Sequence, residues 1–302
     1  MPPQITRRAL LAGLGGAALA ACAGPGSGTP TADSATDTPP PAGPRVVTLD
    51  TAELDSAMTL GITPVGAARA PADSGLPDYW SASRLAQITL VGEVGSPDTA
   101  LIRRLKPDLI LGSQVRDAAH YETLRRIAPT LLTATTGHPW KANFQQHAQA
   151  LGRQAAADAV TAAYQRHTGQ VAEALGPSGR RISLVRFVEN APVRLYARQN
   201  FLATLLDDVQ LSRPDQQNAA QFAVEVPADQ IARADGDVLL YAVYGDPDAA
   251  GATATLASPG WQALSAVKAH RAFPVSDQLW FQGIGYTGAN AVLDELQHLL
   301  GA

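Results

Sequence analysis

Between residues 154 and 175, Val160, Tyr164, His167, Val171 and Leu175 recur at spacings of three and four. That spacing puts them on one face of a helix. Its 22 residues would span roughly 33 Å, about the depth of a small domain. Strand-like and helix-like segments alternate on both sides of it. Before it, apolar runs at residues 45–49, 62–67 and 105–112 read as strands. Helices are predicted over 50–60, which Gly61 stops, and over 120–128, which Pro129 ends. A helical stretch from residue 143 is interrupted near Gly152. Behind the long helix, strands are predicted at 181–187, 193–197, 236–242 and 273–275. Helices begin at residue 201 and at Ser258-Pro259, with proline in the first helical position. Val292, Leu293, Leu296, Leu299 and Leu300 give a last helix one apolar face. Alternation of this kind builds helix-covered parallel sheets. The expected fold is therefore α/β: two α/β lobes, residues 45–153 and 177–302, joined by a single long helix at 154–176. A ligand cleft is expected between the lobes.

The first 44 residues follow other rules. Thr6-Arg7-Arg8-Ala9-Leu10-Leu11 resembles a twin-arginine export signal, and residues 9–21 carry no charge. Thirteen uncharged residues suit a signal segment and are too few for a spanning helix. The run ends in Leu19-Ala20-Ala21-Cys22, which resembles the lipobox of bacterial lipoproteins. Residues 1–21 then read as a lipoprotein signal peptide, and Cys22, the only cysteine, as the acylated residue. The competing reading of Cys22 is a buried thiol after an apolar helix. Stable anchoring takes more than one acyl chain, as bacterial lipoproteins carry. Residues 22–44 have no periodicity and no large apolar side chains, so they read as a disordered tether. The expected location is the extracytoplasmic face of the cell membrane, held there by the lipid alone.

The remaining 258 residues hold 21 basic and 25 acidic side chains. A protein that neutralises phosphates would show a basic excess, so no nucleic-acid partner is expected. A single cysteine excludes a disulfide framework and cysteine-based metal sites. The six histidines, His120, His138, His147, His167, His270 and His298, form no short cluster, so no metal ligation is expected. His167 sits on the apolar face of the long helix and reads as packing, whereas His270 and His298 read as surface residues. Gly283-Ile-Gly-Tyr-Thr-Gly288 matches a dinucleotide-binding pattern. It lacks the strand and the acidic residue that should follow, so its glycines read as a turn into the last helix. With no nucleophile elbow, phosphate loop or paired zinc histidines, the chain does not read as an enzyme.

Aromatic residues make up only 6% of the chain, yet several stand in loop-like places beside arginines. These are Tyr79-Trp80 with Arg84, Arg116 just after a strand, Arg186-Phe187, Tyr196 with Arg198, and Trp280-Phe281. The ends of parallel strands line the crevice of open α/β sheets. A flat ring beside a guanidinium suits a ligand with apolar arms and anionic oxygens. For each residue the plainer reading is packing or a salt bridge. Arg186 or Arg198, for example, could pair with Glu189, Asp207 or Asp208. Trp140 and Trp261 read mainly as packing.

Six phrases then occur in a recognisable order. They are Leu60-Gly-Ile-Thr-Pro-Val-Gly66, Val91-Gly-Glu-Val-Gly-Ser-Pro97, Leu105-Lys-Pro-Asp-Leu-Ile-Leu111, Tyr121-Glu-Thr-Leu-Arg-Arg-Ile-Ala-Pro-Thr130, Leu211-Ser-Arg-Pro214 and Trp261-Gln-Ala-Leu-Ser-Ala-Val267. With them, nearly all of residues 45–302 resembles the ferric-siderophore-binding lipoproteins of ABC importers, class III periplasmic binding proteins whose lobes are joined by one rigid helix. The resemblance implies capture of a ferric siderophore in the cleft and delivery to an ABC permease by a monomer. Iron would travel within the ligand, and protein side chains would hold no cofactor. Haem and cobalamin are the alternative ligands within the superfamily. A haem would need an axial ligand such as Tyr79, Tyr196, Tyr244 or His138.

The cleft-facing positions implied are Trp80, Arg84, Arg116, Arg186, Tyr196, Arg198, Tyr244, Trp280 and Phe281. Separated arginines among aromatics lean towards a hydroxamate siderophore. The family's first-lobe docking glutamate is replaced by Ala100, which leaves Glu93 or Asp98 as substitutes. The second-lobe equivalent is Asp229, with Glu225 one turn away.

Overall fold

The computed structural model describes residues 43–176 and 179–301. The export signal, Cys22 and the tether as far as residue 42 lie outside the described residues. The first sheet holds β1 (Val46–Thr48), β2 (Gly66–Arg69), β3 (Thr89–Glu93), β4 (Ser96–Pro97), β5 (Leu109–Ser113) and β6 (Thr130–Thr133) in the order β4-β3-β2-β1-β5-β6. Every neighbouring pair is parallel except β3 and β4. The second holds β7 (Ile182–Val188), β8 (Val193–Tyr196), β9 (Ala223–Val226), β10 (Val238–Tyr244) and β11 (Ala272–Pro274) in the order β11-β10-β7-β8-β9. Here β11, β10 and β7 run parallel, while β8 and β9 continue antiparallel. The central strands read as unbroken apolar runs because helices cover both faces of each sheet. Val46, Val47, Ile110 and Leu111 are fully buried in the first sheet, as are Ile182, Leu239 and Leu240 in the second.

Some local expectations shift. The second strand starts at Gly66 rather than residue 62. Ile62 is used in the turn that closes the first helix, its N–H bonded to Ala57 O at 2.9 Å. Over 120–128 only the turn Tyr121–Leu124 is α-helical. The hairpin of β3 and β4 is not readable from periodicity, because β4 is two residues long.

The helix Gln154–Leu175 joins the lobes and buries Ala157, Tyr164, Thr168 and Val171. His167 bridges it to the last helix, Tyr286–Leu300. Its Nδ1 lies 2.7 Å from Asn290 Oδ1 and its Nε2 3.1 Å from Asp294. His167 thus ties the two helices together through polar contacts rather than through apolar packing alone. Around the same helix the rings of Trp140, Tyr164 and Tyr286 meet edge to face at 4.8–5.9 Å between centroids.

One further tie crosses the molecule. Asp55, buried on the first helix, accepts N–H bonds from Thr287 (3.2 Å) and Gly288 (3.0 Å) at the start of the last helix. A carboxylate there satisfies orphan N–H groups and complements the helix dipole. The glycine-rich Gly283–Gly288 segment serves this contact, because a Cβ on Gly285 would lie 2.2 Å from Asp55. No helix among the described residues is long and apolar enough to cross a membrane.

Candidate binding cleft

A cavity of about 300 Å³ opens between the lobes where the central strands end. First-lobe residues on it include Asp50 after β1, Pro71 after β2 and Arg116 after β5. The second lobe contributes Arg186 from β7, Arg194 and Tyr196 from β8, Phe222 before β9, and Tyr244, Trp280 and Phe281. Six of the nine expected cleft residues therefore come together: Arg116, Arg186, Tyr196, Tyr244, Trp280 and Phe281.

Arg186 is the best-held cation. Its Nε and Nη2 each donate to Asp277 at 2.6 Å, and Nη1 donates to Tyr196 Oη at 3.2 Å. Its Cζ lies 4.7 Å from the Tyr244 ring centre and 5.4 Å from that of Phe281. Burial works against the charge, but the Tyr196 and Asp277 oxygens outweigh it and raise the Arg186 pKa. The partner is Asp277, none of the three acids considered from the sequence. Arg116 is freer, with its side chain 55% exposed and its Nε 3.7 Å from Asp50 Oδ2. Tyr244 spans the cleft, its hydroxyl accepting the Ala72 N–H at 3.0 Å. Trp280 is almost fully buried, and its Nε1 donates to Glu295 at 2.7 Å. It backs the cavity wall more than it faces the opening.

Three expected residues are not on the cavity. Trp80 packs against the cluster of Leu54, Met58, Ala67 and Ile88. Arg84 lies over its ring at 5.2 Å and donates to Met58 O and Thr63 Oγ1. Together they brace the first helix. Arg198 is exposed beyond the end of β8, so it no longer follows the alternation that points Arg194 and Tyr196 the same way. Arg194 and Phe222 are among the lining residues that sequence reasoning missed, as are Asp50 and Pro71. Counting back two from Tyr196 would have found Arg194. Phe222 is 49% exposed and rests on Tyr196, with ring centres 5.0 Å apart.

The other candidate roles also resolve geometrically. Glu225 pairs with Arg194 at 3.1 Å and Glu93 with Arg69 at 2.6 Å. Asp98 caps the helix Thr99–Leu105 through the Leu101 N–H. Asp229 is exposed on a short turn after β9. Of the possible axial groups, the Tyr79 hydroxyl donates to Asp55, and His138 does not line the cavity.

Adjoining the cavity wall at Asp50 lies a buried polar cluster that the sequence did not reveal. Asp50, Glu53, Asp117 and His147 are buried together. Both Glu53 oxygens, Asp50 Oδ2, Asp117 Oδ1 and His147 Nε2 lack a hydrogen-bond partner in the structure. Burial, reinforced by Asp50 and Asp117, holds the Glu53 carboxyl well above the usual range. Burial pushes Asp117 up to about 6 and His147 down to about 4. Burial therefore works against charging either member of the Glu53 and His147 pair, which lie 3.9 Å apart. No group of three or more His, Cys, Asp or Glu among the described residues is arranged to hold a metal.

Comparison with known proteins agrees with this architecture. Residues 46–279 match the periplasmic binding protein family. The probable siderophore-binding lipoprotein YfiY of Bacillus subtilis (strain 168) is 30% identical over 270 residues, covering 85% of this chain and 82% of that protein. The achromobactin-binding periplasmic protein of Dickeya dadantii (strain 3937) is 27% identical over 267 residues, covering 85% and 86%. Staphylococcus aureus SirA, solved in complex with staphyloferrin B, is similar with a TM-score of 0.75 at 25% identity, covering 86% of this chain and 94% of that one.

Proposed function

The chain belongs to the periplasmic binding protein family, and on that premise we propose that it captures a ferric siderophore outside the cell and hands it to an ABC importer. The relatives described above, named for siderophore binding, achromobactin binding and a staphyloferrin B complex, support iron-complex capture. No bond is made or broken in this role. The cleft holds the chelate, and iron remains within it.

The observation that carries the reading is the charge balance of the cleft. Arg116, Arg186 and Arg194 line it, and each faces a carboxylate: Asp50, Asp277 and Glu225. A cleft with its cations offset in this way suits a ferric complex of low net charge, with guanidinium N–H groups left to donate to chelate oxygens. Phe222, Tyr244 and Phe281 supply flat apolar surface for the chelate's arms. Ferric hydroxamates are nearly neutral, whereas tris-catecholates are strongly anionic, so a hydroxamate is the proposed class. Haem is the weaker alternative. The Tyr196 and Tyr244 hydroxyls are already engaged by Arg186 and by the Ala72 N–H.

Anchoring at Cys22 and docking on a permease complete the proposal. Asp229 is the proposed second-lobe docking carboxylate, since Glu225 and Glu93 are held by arginines. Tryptophan quenching with ferric hydroxamate, ferric catecholate, haem and cobalamin tests the ligand class. Tight binding of the hydroxamate alone is expected, and selective binding of haem or cobalamin would overturn it. Cys22→Ala protein should leave the membrane fraction; retention there would refute the anchor.

A further inference from the structure

The helix Thr99–Leu105 ends shortly before β5, at the end of the first sheet opposite the cleft. Arg45, just before β1, folds onto that end. Its Nη2 donates to Leu105 O at 2.7 Å, its Nε to Lys106 O at 3.2 Å, and its backbone N–H to Asp108 Oδ2 at 2.8 Å. Arg103, Arg104 and Lys106 stand on the same helix end. All four cations are exposed, and Arg103, Arg104 and Lys106 make no ion pair among the described residues.

Cations at a helix C-terminus have a local use, since they offset its dipole. Arg45 already occupies those carbonyls, so the other three are surplus to it. Four cations and one carboxylate thus meet on a chain whose net charge is -4. The patch is also where the folded part is attached to the rest of the chain. Gly43, the first described residue, lies two positions before Arg45, so any anchor at Cys22 is joined to the fold at this point.

We propose that Arg45, Arg103, Arg104 and Lys106 form a docking surface for the anionic lipid headgroups of the membrane that holds the anchor. This rests on the reading of Cys22 as the acylated residue. Each cation near an anionic leaflet is attracted to it within a Debye length of about 10 Å. An anchor keeps the patch at high effective concentration beside that leaflet. The opposite ends of β1 and β5 lead into Asp50 and Arg116. A domain resting on this patch therefore turns its cleft away from the lipid, open to arriving ligand.

The test uses the full chain carrying Cys22→Ser, so that acylation plays no part, and sedimentation with vesicles. Residues 1–21 are common to parent and variants, so the difference between them reports the patch. The parent is expected to bind phosphatidylglycerol vesicles more tightly than phosphatidylcholine vesicles, and less so as salt rises. Arg103→Glu/Arg104→Glu/Lys106→Glu should weaken phosphatidylglycerol binding at least tenfold, and the corresponding triple Gln variant should fall between. Melting temperatures of all three proteins should agree. Equal binding by parent and triple Glu variant, or no preference for phosphatidylglycerol, overturns the proposal. The mass of Cys22-containing protein extracted from membranes reads the anchor separately, so its failure is distinguishable from failure of the patch.

Discussion

Arg186 and Asp277 meet inside the cleft as a two-pronged ion pair, Nε to Oδ1 and Nη2 to Oδ2, each at 2.6 Å. The guanidinium carbon also lies 4.7 Å from the Tyr244 ring centre and 5.4 Å from that of Phe281, so its orientation is fixed before a ligand arrives. Removing one partner of a buried pair strands the other charge. Asp277→Ala is expected to lower stability by about 3 kcal/mol and to raise affinity for anionic tris-catecholate complexes relative to hydroxamates. Urea unfolding and fluorescence titration read the two effects. Unchanged ligand preference would show that the pair does not set the charge of the site.

Arg116 and Arg194 should matter more to affinity than to folding, because Arg116 is exposed and Arg194 half-buried at the cavity. Losing a hydrogen bond from a charged group costs about 1.5–3 kcal/mol, or roughly tenfold to a hundredfold in Kd. Arg116→Ala and Arg194→Ala proteins should melt as the parent does without ligand and lose much of its ligand-induced increase. Arg198→Ala should bind normally. If Arg198→Ala alone weakens binding, the cavity described above is not the binding site.

The buried cluster predicts opposing pH dependences. The folded His147 pKa is pushed down to about 4 by burial, below the ordinary value near 6.5. Between these values the unfolded chain holds more protons, so this residue's contribution is lost as pH falls from 6.5 towards 4. The full difference amounts to about 3 kcal/mol. Asp117, raised to about 6, acts the other way, because the folded state keeps its proton longer and stability falls as pH rises from about 4 to 6. Asp117→Asn should tilt the profile from pH 4.5 to 6.5 towards the histidine slope relative to the parent, with Glu53 still opposing it. His147→Gln should expose the carboxylate slope, with stability falling over that range. Urea midpoints at several pH values decide, and parallel profiles for the two variants would contradict this assignment.

Ligand binding is expected to move the lobes little. A continuous 22-residue helix joins them, and the Asp55 contact and the aromatic contacts around Tyr286 brace the same region. Solution scattering of free and loaded protein should give nearly equal radii of gyration. A clear contraction on loading would show that these ties yield.

Periodicity made the scaffold legible. The linking helix, the buried central strands and the turn before the last helix all carry their signal within a few residues. The cleft was legible only in part, because its pairings are made between distant positions. Arg186 is readable as a strand-end arginine, but its partner lies 91 positions away, where no local pattern points. Trp80 and Arg84 look like Tyr196 and its neighbours in sequence. They differ in packing on Leu54 and Met58, which only the three-dimensional arrangement reveals. The cluster around Glu53 is hidden for the same reason, since Asp50 caps, and Glu53 lies on, a helix whose expected pattern is merely weakly amphipathic.

The bond from Gly288 to Asp55 spans 233 positions, and it has a consequence for the order in which the protein assembles. A chain made from its N-terminus exposes Asp55 early, while the N–H groups that satisfy it belong to the last helix to be synthesised. Until that helix docks, the first lobe must leave this carboxylate hydrated or bury it with fewer partners. Either choice delays closure of its core. The two lobes are therefore expected to reach their final state together rather than one after the other. Loss of the C-terminal helix should leave an incompletely packed first lobe despite the many residues separating them.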